Sequence, residues 1–376
     1  MEIKPLGILC GGQLARMMAL EAHRLGIAVK ILCASAAEPA AQVAPFVLGD
    51  PNQLSDLLPF LSSVRVATFE SEFYDSAVIE TASRKCGTQV FPQPGLMGLI
   101  QDRLTQKELL DRYDIPTSPW RPVSSPQDAV VAYIAMNGRA VFKKRRFGYD
   151  GYGTFVVKSE NELSALSLQM AAPGMIAERF VRFTREIATV AVRDQKGTVF
   201  FYPFVETKQK DARCLWVNGP IKETKALKTL KARITTLLSK ENYVGAIGIE
   251  LFDSEEGLMV NELAPRVHNT AHYTQNAFHM SQFAAHILAV SGERLSEPSP
   301  LARGFAMWNL LGSQARELSE IHPPMMESGA FFHWYGKIES RPGRKLGHIN
   351  AIGKSPSDAL ALAKKMATKA ARQLKY

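Results

Sequence analysis

The chain has 376 residues, 46% of them hydrophobic and 22% charged, enough to bury more than one core and too apolar for a disordered chain. Its formal charge of +9 would suit a nucleic-acid binder, but the excess is dispersed. The one short basic run next to an aromatic, Lys143-Lys144-Arg145-Arg146-Phe147, serves a small phosphorylated ligand equally well, so no nucleic-acid partner is expected.

The first hundred residues alternate strand and helix. Leu6 to Leu9 reads as a short apolar strand broken at Gly11-Gly12. Residues 13–25 have helical spacing, with Leu14, Met17, Met18 and Leu25 on one side and Gly26 as the stop. Strands are expected at 29–32 and 64–69, and this rhythm implies a parallel sheet with crossovers. A helix over 101–113 follows the turn at Pro92 and Pro94. Residues 140–204 read as one antiparallel sheet with one or two helices, 222–241 as an amphipathic helix, and 245–263 as a strand hairpin. The last 75 or so residues carry Phe331-Phe332-His333-Trp334-Tyr335, a Gly-Arg-Lys turn and a terminal helix. Cys10, Cys33, Cys86 and Cys214 are far apart and show neither metal nor disulfide spacing, which fits a reducing compartment. The N-terminus does not resemble a secretion signal, and no run of 18 apolar residues occurs. The expectation is a cytoplasmic protein with no membrane partner.

Five segments could carry chemistry. Gly11-Gly12 between a strand and a helix N-terminus could bind an anion through free backbone N–H groups, or could be only a tight turn. The full dinucleotide fingerprint is absent, and no acid ends the second strand, so a nicotinamide cofactor is not expected. The segment from Lys143 to Thr154 runs from a basic strand end through Gly148, Gly151 and Gly153; it is a phosphate loop or an ordinary hairpin. The hairpin is the strongest signal, because it places Glu250 and Glu262 in apolar strands. A pivot near Glu255 sets Glu250 opposite Val260 and leaves Glu262 as a diagonal neighbour roughly 7–8 Å away. Two such carboxylates call for a cation, and magnesium with a nucleotide fits; a half-exposed surface pair is the alternative. Glu178 to Val181 could present backbone to an adenine and Glu186 could take ribose hydroxyls, unless both acids are simply solvated. Finally, His268 and His272 are four apart, but Asn269 stands where a zinc protease needs glutamate, so anion recognition by Arg266 is preferred over zinc. His279 and His286 are expected on a following helix, in packing or surface roles.

Taken together, the order and spacing of these segments resemble the ATP-grasp superfamily and, within it, the N5-carboxyaminoimidazole ribonucleotide synthetases. The resemblance is carried by Gly11-Gly12-Gln13-Leu14, Thr68-Phe69-Glu70, Gln101-Asp102-Arg103-Leu104, Gly148-Tyr149-Asp150-Gly151, Asn261-Glu262-Leu263-Ala264-Pro265-Arg266 and Gly343-Arg344-Lys345-Leu346-Gly347-His348. It implies an α/β and α+β fold: a Rossmann-like parallel-sheet domain over 1–100, a two-lobed ATP-grasp domain over 101–300 with its smaller lobe at about 118–185, and a small, mainly β C-terminal domain over 301–376. It also implies a homodimeric ligase of purine biosynthesis. Such an enzyme uses ATP, magnesium and bicarbonate to carboxylate aminoimidazole ribonucleotide through carboxyphosphate.

By the same resemblance, Arg103, Lys143, Gly148, Tyr149, Asp150, Gly151 and Gly153 hold the ATP phosphates. Glu178, Arg179, Phe180 and Val181 take adenine, Glu186 the ribose, and Glu250 and Glu262 bind magnesium with Asn261 nearby. Gly12, Gln13, Leu14 and Glu70 meet the ribonucleotide, Arg344 and Lys345 its phosphate, and Arg266 and His268, with Lys143, the reacting carboxyphosphate. The chain departs from the family pattern at Cys10, Ala15, Tyr152, Thr154, Gln209 and Ala271. Several of these changes fall near the acceptor, which keeps two alternatives in view: a ligase for another acid or amine, and a non-catalytic nucleotide-binding relative.

Overall fold

Four consecutive buried residues, Leu6–Leu9, form β1 at the centre of an all-parallel sheet. The computed structural model describes residues 4–148, 151–167, 174–318 and 321–374. β2 (Val29–Cys33), β3 (Phe46–Leu48), β4 (Val66–Phe69) and β5 (Val90–Phe91) complete this sheet in the order β3-β2-β1-β4-β5. Helix α1 (Gln13–Arg24) buries Leu14, Met17 and Met18, as the spacing predicts, and Gly26 follows it at φ +71°. Helices α2 (Leu54–Ser62) and α3 (Ser76–Cys86) are the other crossovers. The strand order reverses between β1 and β4, so their carboxyl ends frame the crevice where such sheets bind ligands. Cys10-Gly11-Gly12 leaves one end and Glu70-Ser71-Glu72 the other.

The helix expected over 101–113 is α5 (Arg103–Arg112), and the stretch before it, read as a turn, forms a further helix, α4 (Pro94–Gln101). Asp102 breaks them with an extended backbone (ψ 117°), and its carboxylate accepts from Leu104 N to cap α5. Residues 140–204 are likewise divided, between two sheets. β6 (Trp120–Val123), β7 (Ala140–Lys144), β8 (Thr154–Val157) and β9 (Met175–Arg179) form a small antiparallel lobe in the order β6-β9-β7-β8. Helices α6 (Pro126–Ala135) and α7 (Glu160–Ser167) pack on this lobe around Phe142, Val157 and Leu163. Ser125 and Asp128 start α6 with a reciprocal capping box.

The chain then leaves the lobe into β10 (Phe183–Arg193), the long strand of a nine-stranded sheet. β11 (Val199–Phe201), β12 (Val205–Lys210) and β13 (Arg213–Gly219) follow. Helix α8 (Lys225–Lys240) is shorter than the 222–241 pattern because Thr224 caps it, accepting from Leu227 N. β14 (Gly245–Ser254) and β15 (Gly257–Ala264) are the expected hairpin. A short 3₁₀ turn at Asn269–Ala271 leads to α9 (Thr274–Ala277) and α10 (Gln282–Val290). His279 lies exposed between these two helices rather than on one, whereas His286 is buried in α10.

The later strands β16 (Gly304–Leu311), β17 (Arg316–Glu317), β18 (Ala330–Trp334), β19 (Glu339–Ser340) and β20 (Lys345–Gly353) precede the terminal helix α11 (Pro356–Leu374). β16, β20 and β18 continue the nine-stranded sheet through the β13–β16 pairing, and α11 packs across β16 and β20.

His286 ties the parallel sheet to the large one. Its Nδ1 accepts from Ala246 N at 2.9 Å, so its Nε2 carries the proton and donates to Thr68 Oγ1 at 2.7 Å. Thr68 in turn donates to the Phe91 carbonyl. Burial holds this imidazole neutral by pushing it down to about 4.

Candidate active site

A cleft of about 920 Å³ opens where the parallel sheet, the small lobe and the large sheet meet. Arg103, Lys143, Gly148, Gly151, the stretch Glu178 to Val181, Glu186, Glu250, Asn261, Glu262, Arg266 and His268 line it. Gln13, Leu14, Glu70, Arg344 and Lys345 stand on the same wall system. Tyr149 and Asp150 lie outside the described residues. Gly12 and Gly153 do not line the cleft. A Cβ on Gly12 would lie 1.9 Å from Glu70 Oε1, so this glycine makes room for Glu70, while Gly153 packs on the Lys144 side chain.

The carboxylate pair comes from the hairpin, but not in the expected register. Glu250 faces Glu262, not Val260, because the register shifts after Glu250 and leaves Asn261 as an extra residue on β15. The shift brings three neighbouring functions together. Asn261 Oδ1 accepts from Lys143 Nζ at 3.2 Å, Glu262 meets Arg103 at 3.3 Å, and Glu250 lies 3.7 Å from His268 Nε2. Burial, then the charges of Glu262 and Glu186, push the Glu250 carboxyl up to about 7. A divalent cation between the two acids would relieve that cost, and their donor chemistry suits magnesium. His268 is held neutral by burial, and its Nδ1 sits 2.8 Å from Thr270 Oγ1.

Lys143, on β7, also pairs with Glu178 at 2.8 Å, and Lys107 reaches the same carboxylate at 3.2 Å. Ser118 donates to it as well. The Glu178 side chain is therefore spent on two lysines, so Glu178 itself can offer a base only its backbone. The two charges hold the Glu178 carboxyl well below the usual range against its burial. The apolar end of the cleft holds Val141, Val181 and the stacked rings of Phe183 and Phe252, 4.7 Å apart. Arg179 is committed to Glu256, and Arg139 lies 3.8 Å over the Phe180 ring.

The N-terminus of α1 is an anion site, as its glycine turn suggests, but the anions are the protein's own. Glu70 Oε2 accepts from Leu14 N and Ala15 N at 3.0 Å each, and Glu38 accepts from Gly11 N. Arg266 is likewise engaged by Glu72 in a two-pronged pair. Opposite Glu70 stands a basic group: Lys337, Arg341, Arg344 and Lys345. Lys337 is pushed down to about 7 by burial and by its cationic neighbours. The sequence reading missed Lys107, Glu72, Lys337 and Arg341. Lys107 and Glu72 lie just beyond the resembling stretches 101–104 and 68–70, and Lys337 and Arg341 shortly before that at 343–348.

The departures from the family pattern have distinct surroundings. Cys10 takes a left-handed backbone (φ +78°), a geometry that favours the glycine the family has there. Tyr152 is exposed, with Lys144 Nζ 5.1 Å above its ring. Thr154 and Gln209 line the cleft, and Ala271 is buried.

Residues 3–101 match the ribonucleotide synthetase preATP-grasp domain, 108–283 the ATP-grasp domain, and 306–362 the phosphoribosylaminoimidazole carboxylase C-terminal domain. An N5-carboxyaminoimidazole ribonucleotide synthase from Brucella melitensis is 36% identical over 93% of this chain and 98% of its own. The chain belongs to the N5-carboxyaminoimidazole ribonucleotide synthase family of ATP-grasp ligases. Among solved structures, the N5-carboxyaminoimidazole ribonucleotide synthetase of Thermus thermophilus superposes with a TM-score of 0.86 at 31% identity, covering 99% of both chains. The N5-carboxyaminoimidazole synthase of Aspergillus clavatus, in complex with ADP and 5-aminoimidazole ribonucleotide, does so at 0.86 and 25% identity, covering 98% of this chain and 99% of that one. The synthase family thus accounts for the α/β and α+β architecture, with its parallel N-terminal sheet and β-rich C-terminal region.

Proposed function

We propose that this protein carboxylates 5-aminoimidazole ribonucleotide with bicarbonate at the expense of ATP, giving N5-carboxyaminoimidazole ribonucleotide, ADP and phosphate. The observation that carries the reading is that one cleft joins the Lys143–Asn261 and Glu250–Glu262 pairs to Glu70 and the basic loop at 341–345. The Aspergillus relative, which holds ADP and the ribonucleotide together, supports it.

The apolar end, with Val141, Val181, Phe183 and Phe252, takes the adenine, and Glu186 the ribose. Lys143 and Arg103 meet the phosphates with the glycine loop. Glu250 and Glu262 would hold magnesium, which supplies charge neutralisation to the phosphate oxygens. Among the described residues no three acidic, His or Cys groups converge as a metal site, so the cation would draw its other ligands from phosphate and water. A bicarbonate oxygen attacks the γ-phosphorus in line as the bond to ADP breaks; Lys143 and Arg103 stabilise the spreading charge. Arg266, oriented by Glu72, and neutral His268 flank the carboxyphosphate. The cleft walls exclude water while the carboxyphosphate's C–O bond to the phosphoryl group breaks to give phosphate and carbon dioxide. The exocyclic amine of the ribonucleotide attacks the carbon dioxide carbon and loses a proton to the released phosphate. Glu70, fixed by the α1 amides, orients that substrate, and Arg344 and Lys345 hold its phosphate.

The test is phosphate release from Mg-ATP with bicarbonate, with and without aminoimidazole ribonucleotide, beside formate and amino acids as rival acids. Stimulation by the ribonucleotide is expected; stimulation only by a rival acid would replace the acceptor. Phe46, Val47 and Leu48, exposed on the edge strand β3, support the homodimer, which light scattering tests. Four free cysteines support a reducing cytoplasmic setting, and no helix among the described residues is long and apolar enough to cross a membrane.

A further inference from the structure

Between β12 and β13 the chain turns in two residues, Asp211 and Ala212, both left-handed at φ +51° and +58°. Turns of this kind favour glycine, and an alanine there is strained. The Ala212 methyl faces the glycine loop: a Cβ built on Gly151 would lie 2.5 Å from Ala212 Cβ. The next residue, Arg213, reaches the other way. Its guanidinium lies against Gly343, where an added Cβ would be 2.4 Å from Arg213 Cζ. This brings it beside Arg341, Arg344 and Lys345, on the same cleft. Among the described residues no carboxylate pairs with Arg213 or Arg341; Arg213 donates only to the Asp211 carbonyl, at 3.5 Å, and Arg344 has Glu339 at 3.7 Å. Lys337, which also faces this group, donates to the Lys345 carbonyl at 2.7 Å. Two guanidinium groups, Arg213 and Arg341, facing one cleft without a carboxylate partner among the described residues call for an anion.

We propose that Arg213 is a further phosphate-binding residue of the ribonucleotide site, and that the Asp211–Ala212 turn carrying it couples occupancy of that site to ATP affinity through Gly151. The inference rests on the proposed function for the identity of the phosphate ester, but not for the phosphate chemistry. A phosphate held by Arg213 fixes the turn, and the fixed turn presents the Ala212 methyl to the loop that meets the nucleotide. By linkage, each ligand then raises the other's affinity by the same factor.

The experiment is calorimetric titration of the intact protein with a non-hydrolysable ATP analogue and magnesium. It is run alone, with aminoimidazole ribonucleotide, and with inorganic phosphate. In the wild type either phosphate compound should tighten the analogue by about five-fold or more. Arg213→Met should weaken the ribonucleotide by about ten-fold or more and abolish the tightening, and Arg213→Lys should restore part of both. Ala212→Gly relieves the turn and removes the methyl; it should leave ribonucleotide affinity unchanged and lose the tightening. Wild-type ribonucleotide affinity in Arg213→Met, or undiminished tightening in Ala212→Gly, would overturn the proposal. If inorganic phosphate tightens the analogue through Arg213 while aminoimidazole ribonucleotide does not bind, this proposal stands and the acceptor named above is wrong.

Discussion

Replacing Glu178 by Gln should destabilise the small lobe by about 3–5 kcal/mol, because it strands two buried ammonium groups. Lys107 and Glu178 are 2% and 3% exposed and Lys143 10%, so solvent screens little of their interaction. At 2.8 and 3.2 Å the two attractions amount to about 6 and 5 kcal/mol gross at an effective dielectric of about 20. Most of that offsets the desolvation of three charges, and the loss on removing the shared partner falls in the range measured for broken buried pairs. Glutamine keeps the shape and one acceptor but turns an amide N–H₂ toward a lysine. Adding Lys107→Met leaves a single uncompensated lysine, so the double variant should recover about 2 kcal/mol. Native-state hydrogen exchange of the β6, β7 and β9 amides reads the lobe separately from the rest of the chain. Unchanged protection in Glu178→Gln, or additive effects of the two substitutions, would refute the shared-carboxylate reasoning.

Glu250→Gln should abolish magnesium-dependent ATP turnover without loss of fold, checked by phosphate release and circular dichroism. The Glu250 carboxyl is raised from 4.5 to about 7, so the folded chain binds the extra proton between those values. Stability without magnesium should therefore fall as pH rises through that window, and the melting shift produced by magnesium should grow over it. Gly12→Ala drives a methyl into Glu70 and should weaken ribonucleotide binding by ten-fold or more while sparing the ATP analogue, as titration of each ligand would show. His286 is lowered from 6.5 to about 4, so the unfolded chain binds the extra proton there. Stability is then full above 6.5 and declines as pH falls toward 4, by about 3 kcal/mol in all. Urea midpoints from pH 7.5 to 4.5 should show a shallower decline in His286→Gln.

The parallel sheet was legible because β1, β2 and β4 are short apolar runs separated by one amphipathic helix and glycine stops, all local signals. The acidic hairpin was legible for the same reason. What escaped depends on distant partners. Nothing near Glu70 in the chain announces that it caps α1, 55 residues before it. Glu72 meets Arg266 across 194 residues, and Lys107 meets Glu178 only when α5 packs under β9. The break at Asp102 follows from its tie to Arg145, 43 residues on, which helical periodicity does not register. Lys337, Arg341 and Arg213 carry no local signal, since their convergence is a product of tertiary structure.

The additional residue at Asn261 has a consequence for how force passes through the molecule. An unbroken strand shows a given face only every second side chain, but here two successive ones address the same cavity. Asn261 holds the lysine of the small lobe, while Glu262 stands against its acidic twin across the ladder. A single peptide unit thus links the small lobe's Lys143 to the spacing of the acids, so a tilt of the lobe is transmitted to them directly. Excising that one residue would restore a regular ladder and cut this mechanical connection.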